Sequence, residues 1–420
     1  MSKILHDIVV QNRRGVRTSI PSVCSAHPEV LMASLQLASE LSRPVVIEAT
    51  SNQVNQFGGY TGMTALDFVG HIQDLVDQAE IDPDLVILGG DHLGPQVWKS
   101  ERKETAMAKA HDLVAEYVRA GIRKIHLDCS EGCSDDPVSL DDATVAARAA
   151  QLARTCKDAA ADPSDLVFVI GTEVPPPGGA RLDDNGHIVS TRAADARATV
   201  AAHKAAFSAA GVADLWPQVM GLVVQPGVEF GPDTIHALPA RRDPGLRAVL
   251  CDHDAMCLEA HSTDYQQPEV FETLADLGFA FQKVGPALTF AWRHALYALD
   301  HLLGVLRPTT PRLPMVLERA MRDTPKYWTS HYPASNSMLW HFGYADRIRY
   351  YWPVPEVRKA VNLLLSEIDA LDLPDHVFAE VFSDETLQRA PGLASSRSLS
   401  LARAEVQIAL RPYFLGADRD

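Results

Sequence analysis

The sequence predicts an α/β fold, a (β/α)₈ TIM barrel followed by a helical C-terminal extension. Eight short apolar runs bounded by turn residues recur over roughly the first 290 residues, segments of helical periodicity separate them, and strand signals cease near residue 307. Such alternation calls for a parallel sheet, because parallel neighbours need a crossover between them. A doubly wound open sheet commonly has about five or six strands, whereas eight βα units close a ring.

In chain order the predicted strands are Ile20 to Val23, Val45 to Glu48, Leu85 to Gly89, Lys124 to Asp128, Leu166 to Gly171, Gly221 to Gln225, Cys257 to His261 and Phe281 to Val284. Between the third and fourth, Met107, Ala110, Leu113, Val114, Tyr117 and Val118 share one helical face, which Gly121 ends. Val145, Ala149, Leu152 and Cys156 form the next such face, and Trp292, Leu296, Leu299, Leu303 and Leu306 a longer one after the last strand. Beyond it Pro308, Pro311 and Pro314 punctuate the chain, and Val357, Val361, Leu364, Ile368 and Leu371 mark a further amphipathic helix. We therefore assign residues 1–306 to the barrel and 307–420 to an extension packed on it, since no flexible linker, low-complexity tract or repeat separates the two.

The 420 residues are 46% hydrophobic and 22% charged, the balance of a globular protein able to bury a large core without staples. A net charge of −16 repels polyanions and argues against a nucleic-acid partner. No apolar run reaches the length of a membrane span and the amino end carries no export signal, so a cytoplasmic protein with no membrane contact is expected. The six cysteines are then reduced thiols; Cys129 and Cys133 have tolerable zinc spacing, but Cys251 and Cys257 lie too far apart to complete a four-cysteine site.

Chemistry in such barrels sits at the C-terminal ends of the strands, and here nearly every predicted end is polar. Imidazoles and carboxylates converging on one mouth are the ligand set of a divalent ion, with zinc the first choice. His92 and His261 are the first candidate ligands, followed by Glu173 and Asp128, while His126 lies two residues deeper and reads as structural. Asp91, directly before His92, is the leading acid/base candidate, with Glu48 and Asp264 behind it. Lys283 on the last strand can form an imine, bind phosphate or pair with one of these acids. Gly285 to Thr289 join that strand to a helix start and form a candidate phosphate loop, with Gly285 and Thr289 as contacts. Ser25, Asn52 and Gln225 offer hydrogen bonds to substrate, and Arg347 and Arg349 of DRIRYYWP offer positive charge from the extension.

The segments SVCSAHP, IEATSNQVNQFGGYTGMT, ILGGDHLGP, RKIHLD, VIGTEVPPPGG, VVQPGVEF, EAHSTDYQ, KVGPALTF and DRIRYYWP, spread over residues 22 to 353, resemble the GatZ/KbaZ family named after tagatose-bisphosphate aldolase. The resemblance implies a barrel akin to class II ketose-bisphosphate aldolases, in which a pair like Asp91-His92 follows a central strand. It also brings three competing activities. One is a C4 epimerase interconverting D-tagatose 6-phosphate and D-fructose 6-phosphate, another a non-catalytic subunit stabilising a separate class II tagatose-1,6-bisphosphate aldolase, and the third a tagatose-6-phosphate kinase. No GxxxxGK[ST] loop supports the kinase. Acids and imidazoles at nearly every strand end favour the epimerase, acting by retro-aldol cleavage and re-addition. A sugar phosphate, an aldolase and a second copy of the chain are the partners expected.

Overall fold

Apolar runs too short for helices and flanked by glycine or proline pair in parallel to form a closed ring in the computed structural model, which describes residues 2–171, 188–239, 243–308, 312–332 and 336–415. The strands are β1 (Ile20–Val23), β2 (Val45–Thr50), β3 (Val86–Leu93), β4 (Lys124–Leu127), β5 (Val167–Gly171), β6 (Val219–Val223), β7 (Cys257–Ala260) and β8 (Phe279–Val284). Val23 pairs with Ile47 of β2 on one side and Val284 of β8 on the other, which closes the barrel.

Helix α1 (Ser2–Arg13) precedes the ring. Crossovers are supplied by α2 (Pro28–Glu40), α3 (Ala65–Gln78), α4 (Lys103–Arg119), α5 (Asp142–Ala159), α6 (Ala193–Ala209) and α7 (Pro268–Asp276), and α8 (Pro286–Leu306) follows the last strand. The β6–β7 crossover departs from the expected alternation. Its described residues form a short antiparallel pair, Glu229–Phe230 with Ile235–His236, and a 3₁₀ segment Leu246–Asp252.

The lumen is stratified. Ile20, Val46, Ile87, Val167, Cys257 and Phe281 fill its lower part, and Leu5 and Val9 of α1 pack against them. Two residues further along β2 and β7 the inward parity delivers Glu48 and Glu259, and the first residue of β4 adds Lys124, all fully buried. Gly89 makes room for Glu48, whose Cγ would lie 2.7 Å from a Cβ at that position. The apolar layer thus supports an ionic layer, and the mouth opens above it.

The extension is helical and packs on the barrel. Arg403, in the helix Arg397–Leu410, bonds Glu29 of α2 at 2.7 Å, and Gln407 donates to the Ala33 carbonyl at 3.0 Å. No described helix is long and apolar enough to cross a membrane.

Candidate metal centre and sugar-phosphate cavity

β3 runs four residues past its predicted end, so Asp91 and His92 lie inside a strand, where alternation would turn them to opposite sides. Both nevertheless reach the mouth. His92 has φ +47°, a left-handed conformation costly for a residue with a Cβ, and the β3–β4 register shifts between Gly90 and Leu93. The turn brings Gly94 so close to β4 that a Cβ there would sit 1.7 Å from the Asp128 carbonyl oxygen. Ser262, Tyr265 and Asp346 also have positive φ, and strain of this kind collects at functional sites.

His92, His126 and His261 form a triangle with ring centroids 5.0, 5.1 and 5.3 Å apart. His92 Nδ1 lies 2.8 Å from Asp128 Oδ2, and His261 Nε2 lies 2.9 Å from Glu259 Oε1. His126 Nε2 donates to the Gly171 carbonyl at 3.0 Å, so its Nδ1 is the lone-pair nitrogen of the neutral ring; it accepts the His92 N–H at 3.3 Å. Asp91 Oδ1 stands 2.9 Å from this Nδ1, an acceptor facing an acceptor that a proton or a cation must reconcile.

Beneath the triangle, Lys124 joins Glu48 at 2.5 Å and Glu259 at 2.7 Å. Lys283 contacts Asp91 and lies 3.2 Å from Glu48 and 3.4 Å from Glu259. Four buried carboxylates, Glu48, Asp91, Asp128 and Glu259, meet two ammoniums, leaving two negative charges, one of which a proton on His92 balances until a cation takes its place. That deficit, with three imidazoles beside it, fits a divalent cation. Burial favours the neutral forms, but ionic partners overrule it for most of these groups. Asp91 is held well below the usual carboxyl range by His92 and Lys283, Lys283 is raised by Asp91, Glu48 and Glu259, and His92 is pushed up to about 9 by Asp91 and Asp128. Burial followed by the Lys283 charge lowers His261 to about 3, so its ring is neutral as a ligand must be.

Above these groups opens a cavity of about 610 Å³, lined by Asp91, His92, His261 and Lys283 and also by Arg347, Arg349 and Tyr350 of the extension. The two guanidiniums stack over the Tyr350 ring at 4.5 and 4.6 Å. Asp346, just before them, accepts from Thr289 at 2.6 Å and from Arg293 at 2.9 Å, which ties the arginine turn to α8.

Several candidate residues have other duties. Gln225 accepts the Gly227 and Val228 N–H groups at 2.8 and 3.1 Å and braces its own loop. Thr289 is spent on Asp346, and the Gly285 N–H donates to Asp264 at 3.0 Å. Ser25 accepts the His27 N–H at 3.2 Å and lines an adjoining cavity, whereas Asn52 is exposed and lines the main one. Glu173 falls outside the described residues. Lys124 and Glu259 were not singled out from the sequence, although their inward parity was a usable signal, and His126 stands with the other imidazoles rather than below them.

Asp264 also titrates unusually: burial raises it to about 6 despite the Ala287 and Gly285 N–H bonds. A carboxyl raised on folding contributes stability that is complete below its unfolded value and lost as pH rises through about 6. Unfolding free energies of wild type and Asp264→Asn, measured from pH 4 to 7, should therefore diverge by roughly 3 kcal/mol in favour of the variant as pH rises. Parallel curves would refute this.

A family profile described as D-tagatose-1,6-bisphosphate aldolase subunit GatZ/KbaZ-like matches residues 5–418. The chain belongs to the GatZ/KbaZ-like family. A solved structure described as a probable tagatose 6 phosphate kinase from Sinorhizobium meliloti 1021 is 42% identical over 94% of this chain and 99% of its own, with a TM-score of 0.85. More distant are a fructose-bisphosphate aldolase (Fba) from Campylobacter jejuni, 12% identical over 90% of this chain and 94% of its own with a TM-score of 0.45, and the YdjI aldolase from Escherichia coli K12, 14% identical over 83% and 93% with a TM-score of 0.40. Neither bears on the chemistry of this GatZ/KbaZ-like protein.

Proposed function

We propose that this GatZ/KbaZ-like protein is a metal-dependent epimerase that interconverts D-tagatose 6-phosphate and D-fructose 6-phosphate at C4. The observation that carries the reading is one cavity lined by His92, His261 and Asp91, with the buried His126 ring packed against both imidazoles and two arginines on the cavity wall. His92, His126 and His261 are the residues that would hold the ion, with Asp128 and Glu259 fixing two of the rings. When bound, zinc or a similar ion supplies Lewis acidity that polarises the ketose carbonyl and stabilises charge developing on it.

Asp91 starts as a carboxylate and takes the proton of the C4 hydroxyl. The C3–C4 bond then breaks, its electron pair passing into the C2 carbonyl to leave an enediolate, while C4 becomes an aldehyde. After the aldehyde turns, C3 attacks its other face and Asp91 returns the proton to O4, inverting C4 with no net change in atoms or electrons. Arg347 and Arg349 hold the phosphate during the turn. Three carboxylates keep Lys283 an ammonium, which suits it to stabilising Asp91 and developing negative charge rather than forming an imine.

The family description favours a second reading, an accessory subunit of a tagatose-bisphosphate aldolase. The kinase description of the 42% identical relative finds no phosphate-cradling GxxxxGK[ST] segment in this sequence. Metal-loaded protein alone, without ATP or aldolase, is expected to convert D-tagatose 6-phosphate to D-fructose 6-phosphate, followed by NMR of the anomeric carbons. Absence of a new ketose, together with a longer active lifetime for an added class II aldolase, would establish the subunit reading instead.

A further inference from the structure

Barrels of this type frequently hold a substrate phosphate where the loops after the seventh and eighth strands meet a helix N-terminus, because the free N–H groups and the helix dipole attract anions. In this chain that position is α8, and its donors are already taken. Asp264 Oδ1 accepts the Gly285 N–H at 3.0 Å and the Ala287 N–H at 2.8 Å, Pro286 has no N–H, and the Leu288 N–H returns to the Gly285 carbonyl at 3.1 Å. The Thr289 hydroxyl is committed to Asp346. Asp264 is buried and lines the same cavity as the imidazoles. Among the described residues lining that cavity, the only lysine or arginine side chains are Lys283, hemmed in by three carboxylates, and the Arg347–Arg349 pair. One anion position is thus filled by the protein's own carboxylate, and one remains open.

We propose that Asp264 makes the cavity selective for ketohexose monophosphates over bisphosphates. This rests on the epimerase reading, in which the phosphate on C6 meets Arg347 and Arg349 and the C1 end of the ketose lies toward α8. Both backbone bonds fall on Oδ1, leaving Oδ2 as an acceptor for the C1 hydroxyl. A carboxylate can accept from a hydroxyl but repels a phosphate brought to the same place, so one group both recognises the free C1 end and rejects its phosphorylated form.

The test is calorimetric binding of D-fructose 6-phosphate and D-fructose 1,6-bisphosphate to metal-loaded wild type, Asp264→Asn and Asp264→Gly. Wild type is expected to bind the monophosphate at least about tenfold more tightly. Asp264→Asn keeps an acceptor for both N–H groups but removes the charge, and should shrink that preference several-fold. Asp264→Gly frees the N–H groups and should abolish or reverse it. Thermal unfolding checks that each variant is folded, and the Asn variant carries the test if the Gly variant is not. Equal affinity of wild type for both sugars, or a preference unchanged in the folded variants, would overturn this inference alone. Failure of wild type to bind either sugar would remove the epimerase reading and the inference with it.

Discussion

Asp91→Asn is expected to lower turnover by about 10²–10⁴-fold while leaving the metal content of the purified protein unchanged. The amide matches the carboxylate in size, can donate to the His126 Nδ1 lone pair and can still accept from Lys283, but it cannot take a proton from the C4 hydroxyl. It also removes the charge that Lys283 and His92 now face, so Lys283 keeps only Glu48 and Glu259 as partners. His92→Ala and His261→Ala, by contrast, should lose metal and turnover together. Elemental analysis alongside the anomeric-carbon assay separates the cases. Wild-type turnover in the Asn variant would exclude Asp91 as the base, and loss of metal with turnover would make Asp91 a ligand.

The largest effect on stability is expected from Lys124→Met, a loss of about 3–5 kcal/mol in denaturant unfolding at neutral pH. Lys124 is fully buried with Glu48 and Glu259 on either side, and methionine leaves two carboxylates in the barrel interior with one fewer cation between them. Charge rather than shape is at stake, because methionine retains most of the lysine stem. Adding Glu48→Gln and Glu259→Gln to the same chain should therefore restore most of the lost stability. A penalty below about 1 kcal/mol for Lys124→Met would mean that water or a neighbouring lysine already screens the pair.

The ring of strands was legible because parallel strands covered on both sides read as unbroken apolar runs, and all eight predicted runs overlap observed strands. The β6–β7 crossover breaks the alternation expected along the chain: no helical face stands out in its sequence, and the described residues there form other structure. At the site, Asp91, Lys283, His261 and the two arginines were visible as polar residues at strand ends or in an aromatic turn, and the structure brings them to one cavity. The inward turn of His92 was hidden, since it depends on a left-handed backbone at a position where nothing in the residue type demands one. The use of Asp264 as a helix cap was hidden for another reason: capping partners are normally sought within a few residues, and this one reaches from the β7 loop to α8. Pairings across the lumen leave no local trace either. Lys124 looked like the start of an ordinary strand until the ring placed Glu48 and Glu259 beside it.

The ionic layer also dictates when the centre can come into being. Lys124 meets Glu48 and Glu259 across 76 and 135 positions of chain, and Lys283 meets Asp91 across 192. Contacts so remote in sequence form only after the intervening loops have closed, at a cost in chain entropy that local structure cannot offset. Until β8 docks between β1 and β7, the acids gathered by the earlier strands lack Lys283, the second of their two lysines, and water must solvate the difference. The centre is therefore an outcome of ring closure rather than a nucleus for it: a nascent chain short of its eighth strand carries the imidazoles and the acids, but not yet the charge balance that makes them one site.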